Sequence, residues 1–300
     1  MTSDRYTLFR PSFERQATID AFAALPESHL MVALLELDVT DALAAIAALQ
    51  QKGIRLSLFA FLVRSIAMAI AEHPDLNLVR HGKRLVRFED VDVNVPVEVT
   101  TPEGVFPHML ILRGAQRLSP LEIYARIEGA RESDRRSGDT SADDRWSRRM
   151  MRLFGWLPRF LRIAILRFFM RSAFVVKRRG GTTLVTSVGK FASIPGFAFT
   201  FSTGPRAAAF AVGSTVDRPW VHQGIVAVRT ILGISLMVNH DLVDGGPAAR
   251  FARRLQEIIE SAEGLEQAPV STMKSSSGHA DPGAPPAALR PPFDERAKQA

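Results

Sequence analysis

Residues 57 to 72, SLFAFLVRSIAMAIAE, are apolar nearly all round and stop before His73-Pro74. Such a stretch predicts a helix with no polar face to turn to water, ended by a proline, so it belongs in a core with other layers packed around it. The flanking segments supply those layers. HLMVALLELDV (29 to 39) is a β-rich apolar run, followed by the helical pattern TDALAAIAALQQKG, which Gly53 closes. VDVNVPVEV (91 to 99) and HMLILR (108 to 113) flank the turn-forming TPEG, and SPLEIYARIEGARES (119 to 133) restores helical spacing after a Ser-Pro start. Beyond Gly180-Gly181 the pattern becomes TTLVTSV, GFAFTFS, AAAFAVGS and TILGISLMV, four strands expected to form the heart of a sheet. The last element, GGPAARFARRLQEIIESAEG, sets Ala248, Phe251, Ala252, Leu255, Ile258 and Ile259 against Arg250, Arg253, Arg254 and Glu257. That spacing predicts an amphipathic helix lying on the sheet.

The net charge of +7 comes from one place. Between Arg145 and Arg179 there are eleven Lys/Arg and no Asp/Glu, leaving 27 basic against 31 acidic residues elsewhere. Phe, Leu, Ile and Trp are interleaved with these arginines, and Pro158 divides the segment into two helical pieces. Arg159, Arg162, Arg167 and Arg171 fall within about half the circumference of the second piece, at ~100° per residue. A basic amphipathic helix of this kind can lie on an anionic bilayer. It can equally pack on its own domain or across a subunit interface with its arginines in solvent, or cover a pocket for long acyl chains. Nucleic acid is disfavoured, because the apolar density exceeds what phosphate contacts require.

The chain has no cysteine, which excludes disulfides, thiolate-metal sites and cysteine nucleophiles, so any thiol chemistry must use a thiol from outside. It has no uncharged 18-residue apolar run and no secretion signal, and it reads as cytoplasmic. The first twenty or so residues read as a polar arm, and from Gln267 onward the Ser/Gly/Ala/Pro content predicts a disordered tail. GxSxG, GxGxxG, Walker and HExxH motifs are absent. His29, His73, His81, His108, His222 and His279 lack ligand spacing and read as structural or exposed, with no metal expected.

His240 differs from those six. It follows the strand TILGISLMVN and precedes a loop that enters a helix through Asp244-Gly245-Gly246-Pro247, so it sits at a strand end, where sheet proteins commonly build sites. A lone histidine is most often structural. A carboxylate four residues on and two glycines that let a substrate approach the backbone favour a base held on a rigid scaffold.

HDLVDGGPAARF resembles the HxxxDG active-site motif of the catalytic domain of 2-oxo-acid dehydrogenase acyltransferases, relatives of chloramphenicol acetyltransferase. LDVTDALAAI, RLSLFAFLVRSIAMAIAEHPDLN, VDVNVPVEVTTPEGVF, LSPLEI, GGTTLVTSVGKF and AAAFAVGSTVDRPWV fall in that domain's order and at about its spacing. The resemblance runs from about residue 25 to 262, interrupted by a basic helical insert at 134 to 179, with an arm at 1 to 24 and a tail at 263 to 300. It implies a chloramphenicol-acetyltransferase-like α/β fold, a mixed β-sheet flanked by helices. It also implies acyl transfer from a coenzyme A thioester to a thiol, hydroxyl or amine, and a homotrimer whose site lies between subunits. His240 would be the general base, a task suited to an imidazole titrating near neutrality. Asp244 would orient the loop, although a plain helix N-cap explains it as well. Thr186 stands where the family's oxyanion-stabilising serine stands, and it would meet His240 from a neighbouring chain. Ser187 is a second candidate, and a simple strand-forming role competes for Thr186.

Three departures alter this inheritance. Asp241 replaces the arginine usual after the histidine, Asn239 replaces the preceding aspartate, and Phe59-Ala60 replaces a polar Asn-Asp pair. They point to a changed acceptor or acyl group. With no lipoyl domain, and so no lipoyl attachment, ahead of residue 25, the acceptor is expected to be a small molecule or a group on another protein's carrier arm. Two rival readings remain. One is a non-catalytic scaffold or peripheral membrane protein that keeps the fold and works through its insert. The other is a core subunit of a 2-oxo-acid dehydrogenase complex.

Overall fold

A computed structural model describes residues 7, 13–101, 104–136, 154, 156–188, 196–200 and 202–265. The tail expected from 263 onward therefore lies outside the described residues except for its first three, as does the polar stretch before the basic segment.

Eight strands and seven α-helices are found among the described residues: α1 (Phe13–Ala24), β1 (Leu30–Asp38), α2 (Thr40–Gln51), α3 (Leu58–Glu72), β2 (Leu78–His81), β3 (Arg84–Arg87), β4 (Val93–Thr101), β5 (Gly104–Leu112), α4 (Pro120–Arg136), α5 (Arg159–Met170), α6 (Ala173–Gly180), β6 (Thr183–Ser187), β7 (Ala208–His222), β8 (Ile225–Asn239) and α7 (Gly245–Glu260). Six strands form one mixed sheet in the order β1-β8-β7-β6-β4-β5. The β7–β6 and β6–β4 pairs are parallel and the others antiparallel. β2 and β3 make a small separate hairpin.

α3 is the buried helix its composition demands. Ser57 caps it, its side chain accepting from the Ala60 N–H at 3.2 Å, and it ends at His73 before Pro74. Phe61, Leu62, Ile66 and Ile70 are fully buried between the sheet, α4 and α7. Each such side chain contributes about 1.5–3 kcal/mol of apolar burial. From the C-terminal side, α7 presents Phe251, Leu255, Ile258 and Ile259 to the same core, and the Phe251 ring meets Phe210 of β7 at 5.7 Å.

Two elements depart from the sequence pattern. The aromatic alternation of GFAFTFS predicts a strand, yet residues 196–200 form none among the described residues. This segment lies across the sheet face instead: a Cβ at Gly213 would stand 2.5 Å from the Gly196 carbonyl oxygen, and one at Gly233 would stand 3.0 Å from the Phe197 ring. Bare glycines on the face let the chain cross there. The other departure is within the expected arm, where Phe13–Ala24 is helical. Asp20 of this helix is 1% exposed and holds Arg162 at 2.8 Å and Arg159 at 3.2 Å, so α1 is ordered by its packing against α5.

Within the insert, the described residues 156–179 thus pack on their own domain, and residues 137–153 lie outside the described ones. Arg162 faces inward to Asp20, while Phe160 and Phe168 of the same helix are 74% and 70% exposed. α6 is fixed separately: Ala173 and Val176 pack with Val79, and the Arg113 guanidinium bonds the Lys177 and Arg178 carbonyls and the Asp92 carboxylate. Behind α6, Arg206 is half-buried with no carboxylate in ion-pair reach among the described residues, donating to the Gly180 carbonyl at 2.8 Å and the Gly181 carbonyl at 3.1 Å. Burial pushes its guanidinium down to about 10.

Candidate active site

β8 delivers His240. Its last residue, Asn239, is 2% exposed, and its side-chain oxygen accepts the Asp241 N–H at 3.0 Å. The Asn239 carbonyl accepts from Leu242 and Val243, which turns the chain sharply out of the strand. At the turn the His240 N–H donates to the His29 carbonyl at 2.7 Å, so the backbone of the candidate base is held between β8 and the residue entering β1. Its side chain is 49% exposed. The buried neighbours thus fix the backbone and leave the imidazole open to a ligand.

Asp244 is the N-cap of α7 by position, but its side chain makes no capping bond. Its carboxylate is 89% exposed and stands 3.9 Å from His240 Nδ1, within ion-pair reach and beyond a hydrogen bond. Asp241 turns the other way. It accepts from His29 at 2.8 Å and has Arg80 at 3.7 Å. The hydrogen bond from His29 holds the Asp241 carboxyl below its ordinary range, and the same bond raises the His29 imidazole. His29, which the sequence offers only as structural or exposed, is therefore tied to the motif loop through both its carbonyl and its ring. The pairing spans 212 positions, and only the β1–β8 register brings it together.

The two hydroxyl candidates lie on opposite faces of β6. Leu184 packs with Ala209, Ala211 and Met237 on one face, and Val185 lies in the main core on the other. Strand alternation then puts Thr186 on the first face and Ser187 on the second. Ser187 lines a cleft of about 440 Å³ with Ser57, Phe59 and Leu62, so the substituted residue Phe59 borders this hydroxyl. Thr186 aligns with Ala211 of β7, which aligns with Ser235 of β8. Two strand spacings and five residues of rise separate it from His240, on the order of 20 Å. One chain does not bring Thr186 and His240 together. Among the described residues no group of three or more His, Asp or Glu could hold a metal ion.

Residues 17–145 and 176–266 match the family described as 2-oxoacid dehydrogenases acyltransferase (catalytic domain), leaving 146–175 unmatched. Among curated relatives, the lipoamide acyltransferase component of the branched-chain alpha-keto acid dehydrogenase complex of Bacillus subtilis is 26% identical over 77% of this chain and 46% of its own. The dihydrolipoyllysine-residue acetyltransferase component of the pyruvate dehydrogenase complex of Acholeplasma laidlawii is 26% identical over 70% and 32%. The chain spans less than half the length of these relatives. Dihydrolipoamide acetyltransferase of Azotobacter vinelandii superposes with a TM-score of 0.64 at 18% identity, covering 88% of this chain and 95% of that one. The truncated catalytic core of a 2-oxoacid dehydrogenase multienzyme complex from Thermoplasma acidophilum gives 0.60 at 19%, over 86% and 100%. At these identities the likeness establishes the fold: a mixed sheet flanked by helices, as the motif resemblance implies.

Proposed function

The chain belongs to the 2-oxoacid dehydrogenase acyltransferase family, matching its catalytic domain, and on that premise we propose that it moves an acyl group from a coenzyme A thioester to an external thiol, hydroxyl or amine. His240 takes the proton from the attacking group, and a hydroxyl of a neighbouring copy, that of Thr186, donates to the oxyanion. Asp244 orients the loop. The observation that carries this reading is the half-exposed imidazole on a rigidly held backbone, about 20 Å from the hydroxyl it needs. Each chain then offers half a site, and a homotrimer completes it. In Azotobacter vinelandii dihydrolipoamide acetyltransferase a serine, a histidine and an asparagine four residues beyond that histidine were investigated for catalytic roles. His240 and Asp244 share that spacing.

Apolar surface is available for such assembly. Val32 and Leu34 of β1 are 43% and 52% exposed, and Val226 and Val228 near the tip of the β7–β8 hairpin are 69% and 73% exposed. The test of the base is His240→Ala, assayed for acyl transfer from coenzyme A thioesters across thiol, hydroxyl and amine acceptors. Loss of a placed general base costs ~100-fold or more in rate. A folded variant that keeps its activity removes His240 from the role. Copurification with decarboxylase and lipoyl-bearing subunits would identify the chain as the core of a dehydrogenase complex.

A second reading concerns localisation. Trp156 is 90% exposed and the outward face of α5 carries the exposed Phe160 and Phe168 within a segment that holds eleven Lys/Arg and no Asp/Glu, which is how a peripheral anchor meets an anionic bilayer. No helix among the described residues is long and apolar enough to cross one. Sedimentation with phosphatidylserine vesicles tests it: Phe160→Ser with Phe168→Ser abolishes binding on this reading, and unchanged binding excludes the helix as the anchor.

A further inference from the structure

A cleft of about 600 Å³ opens beside the motif loop on the side of Asp241. Its charged wall comes from four places: Arg80 of β2, Arg167 and Arg171 of α5 and its end, His29 and Glu27 before β1, and Asp241 after β8. Asp241 is shared between His29 and Arg80. Arg167 gives one N–H to the Ala23 carbonyl at 3.2 Å, and among the described residues neither it nor Arg171 has a carboxylate within ion-pair distance. Backbone bonds fix the wall: the Gly82 N–H donates to the Arg171 carbonyl and the Arg80 N–H to the Pro205 carbonyl, both at 2.8 Å. Arg167 and Arg171 belong to the stretch that the family match leaves out. The insert therefore adds two uncompensated guanidiniums to a walled cleft that abuts the residue after the candidate base.

We propose that this cleft binds a phosphoryl group of the substrate, gripped by Arg167 and Arg171 with Arg80 behind them. Guanidiniums suit this because their planar donors bond two oxygens at once, and a phosphoryl group has enough oxygens to engage arginines from different elements together. A carboxylate fits less well, since its two oxygens cannot engage guanidiniums from separate elements together, while Asp241 is already held by His29 and Arg80. The volume admits a phosphorylated tail while the reacting end reaches the motif loop. This inference rests on the acyl-transfer reading for its purpose, but its test does not.

The test is calorimetric titration of the full chain, at low salt, with inorganic pyrophosphate, coenzyme A and pantetheine, for wild type, Arg167→Gln with Arg171→Gln, and His240→Ala. Pyrophosphate binds wild type and His240→Ala alike and weakens about tenfold or more in the double variant, whose unchanged thermal melt shows it folded. If coenzyme A weakens with pyrophosphate while pantetheine does not, the phosphoryl group is the donor thioester's own. If coenzyme A is unmoved while pyrophosphate weakens, the group belongs to the acceptor. Equal affinity of wild type and double variant for both pyrophosphate and coenzyme A overturns the proposal. An active His240→Ala would sink the base assignment and leave the binding result standing.

Discussion

Asp241 shows how the residue beside the candidate base ties its loop to the rest of the chain. A carboxylate here draws His29 to 2.8 Å and brings Arg80 within 3.7 Å, tying the loop to the start of β1 and to β2. The His29 imidazole is raised, so the pair is complete while His29 is protonated, below its ordinary value near 6.5, and is lost as pH rises through the raised folded-state value. The Asp241 carboxyl is lowered, so its side of the pair fails only in acid, as pH falls through a value beneath the ordinary 3.8. The lock is therefore strongest between about pH 4 and about pH 6.5. An NMR titration is expected to find His29 above 6.5 in wild type and back near 6.5 in Asp241→Asn. At this scale, His240 and Asp244 are legible because their spacing is local, and Thr186 and Ser187 because a strand motif holds them. The His29 pairing is not legible, since nothing near His29 in the chain signals a partner beyond β8. Strand alternation already sets Thr186 and Ser187 on opposite faces, but nothing in the motif reveals that Ser187 shares a cleft with Phe59.

Among elements, those whose apolar pattern matched their own layer were readable: α3 as a helix without a polar face, α7 as an amphipathic one, β1 and β8 as apolar runs. The failures have physical causes. In GFAFTFS, Gly196 and Phe197 lie against the bare Gly213 and Gly233, strand-like spacing without a strand among the described residues. β2 and β3 are four residues each and carry Arg80, His81, Arg84 and Arg87, so charge hides their alternation; the turn between them depends on Gly82 at φ +59°. α1 leaves Ile19 and Phe22 37% and 52% exposed, and the Asp20 contacts tie it to α5. Replacing Asp20 with alanine would take the buried carboxylate from Arg162 and Arg159, at a cost of about 3 kcal/mol. Hydrogen exchange across 159–170 is then expected to accelerate strongly while the amides of β7 and β8 keep their protection. Unchanged exchange in α5 would mean the ion pair does not hold the insert.

For the whole molecule, the sheet order β8-β7-β6 matters most, because it separates the candidate base from the candidate oxyanion donor within one chain. That separation cannot be read from sequence, where both motifs look complete. It makes assembly a requirement of the proposed chemistry, and the half-exposed His240, the bare apolar surface of β1 and the hairpin tip all remain for a second copy to cover. The most direct test of this account is subunit complementation. His240→Ala and Thr186→Ala chains are each inactive on this reading, but unfolded and refolded together they form mixed oligomers in which an intact histidine from one chain faces an intact threonine from another. Acyl transfer by the mixture well above both separately refolded parents is the predicted result; a mixture no more active than its parents would contradict a site shared between Thr186 and His240 of different chains.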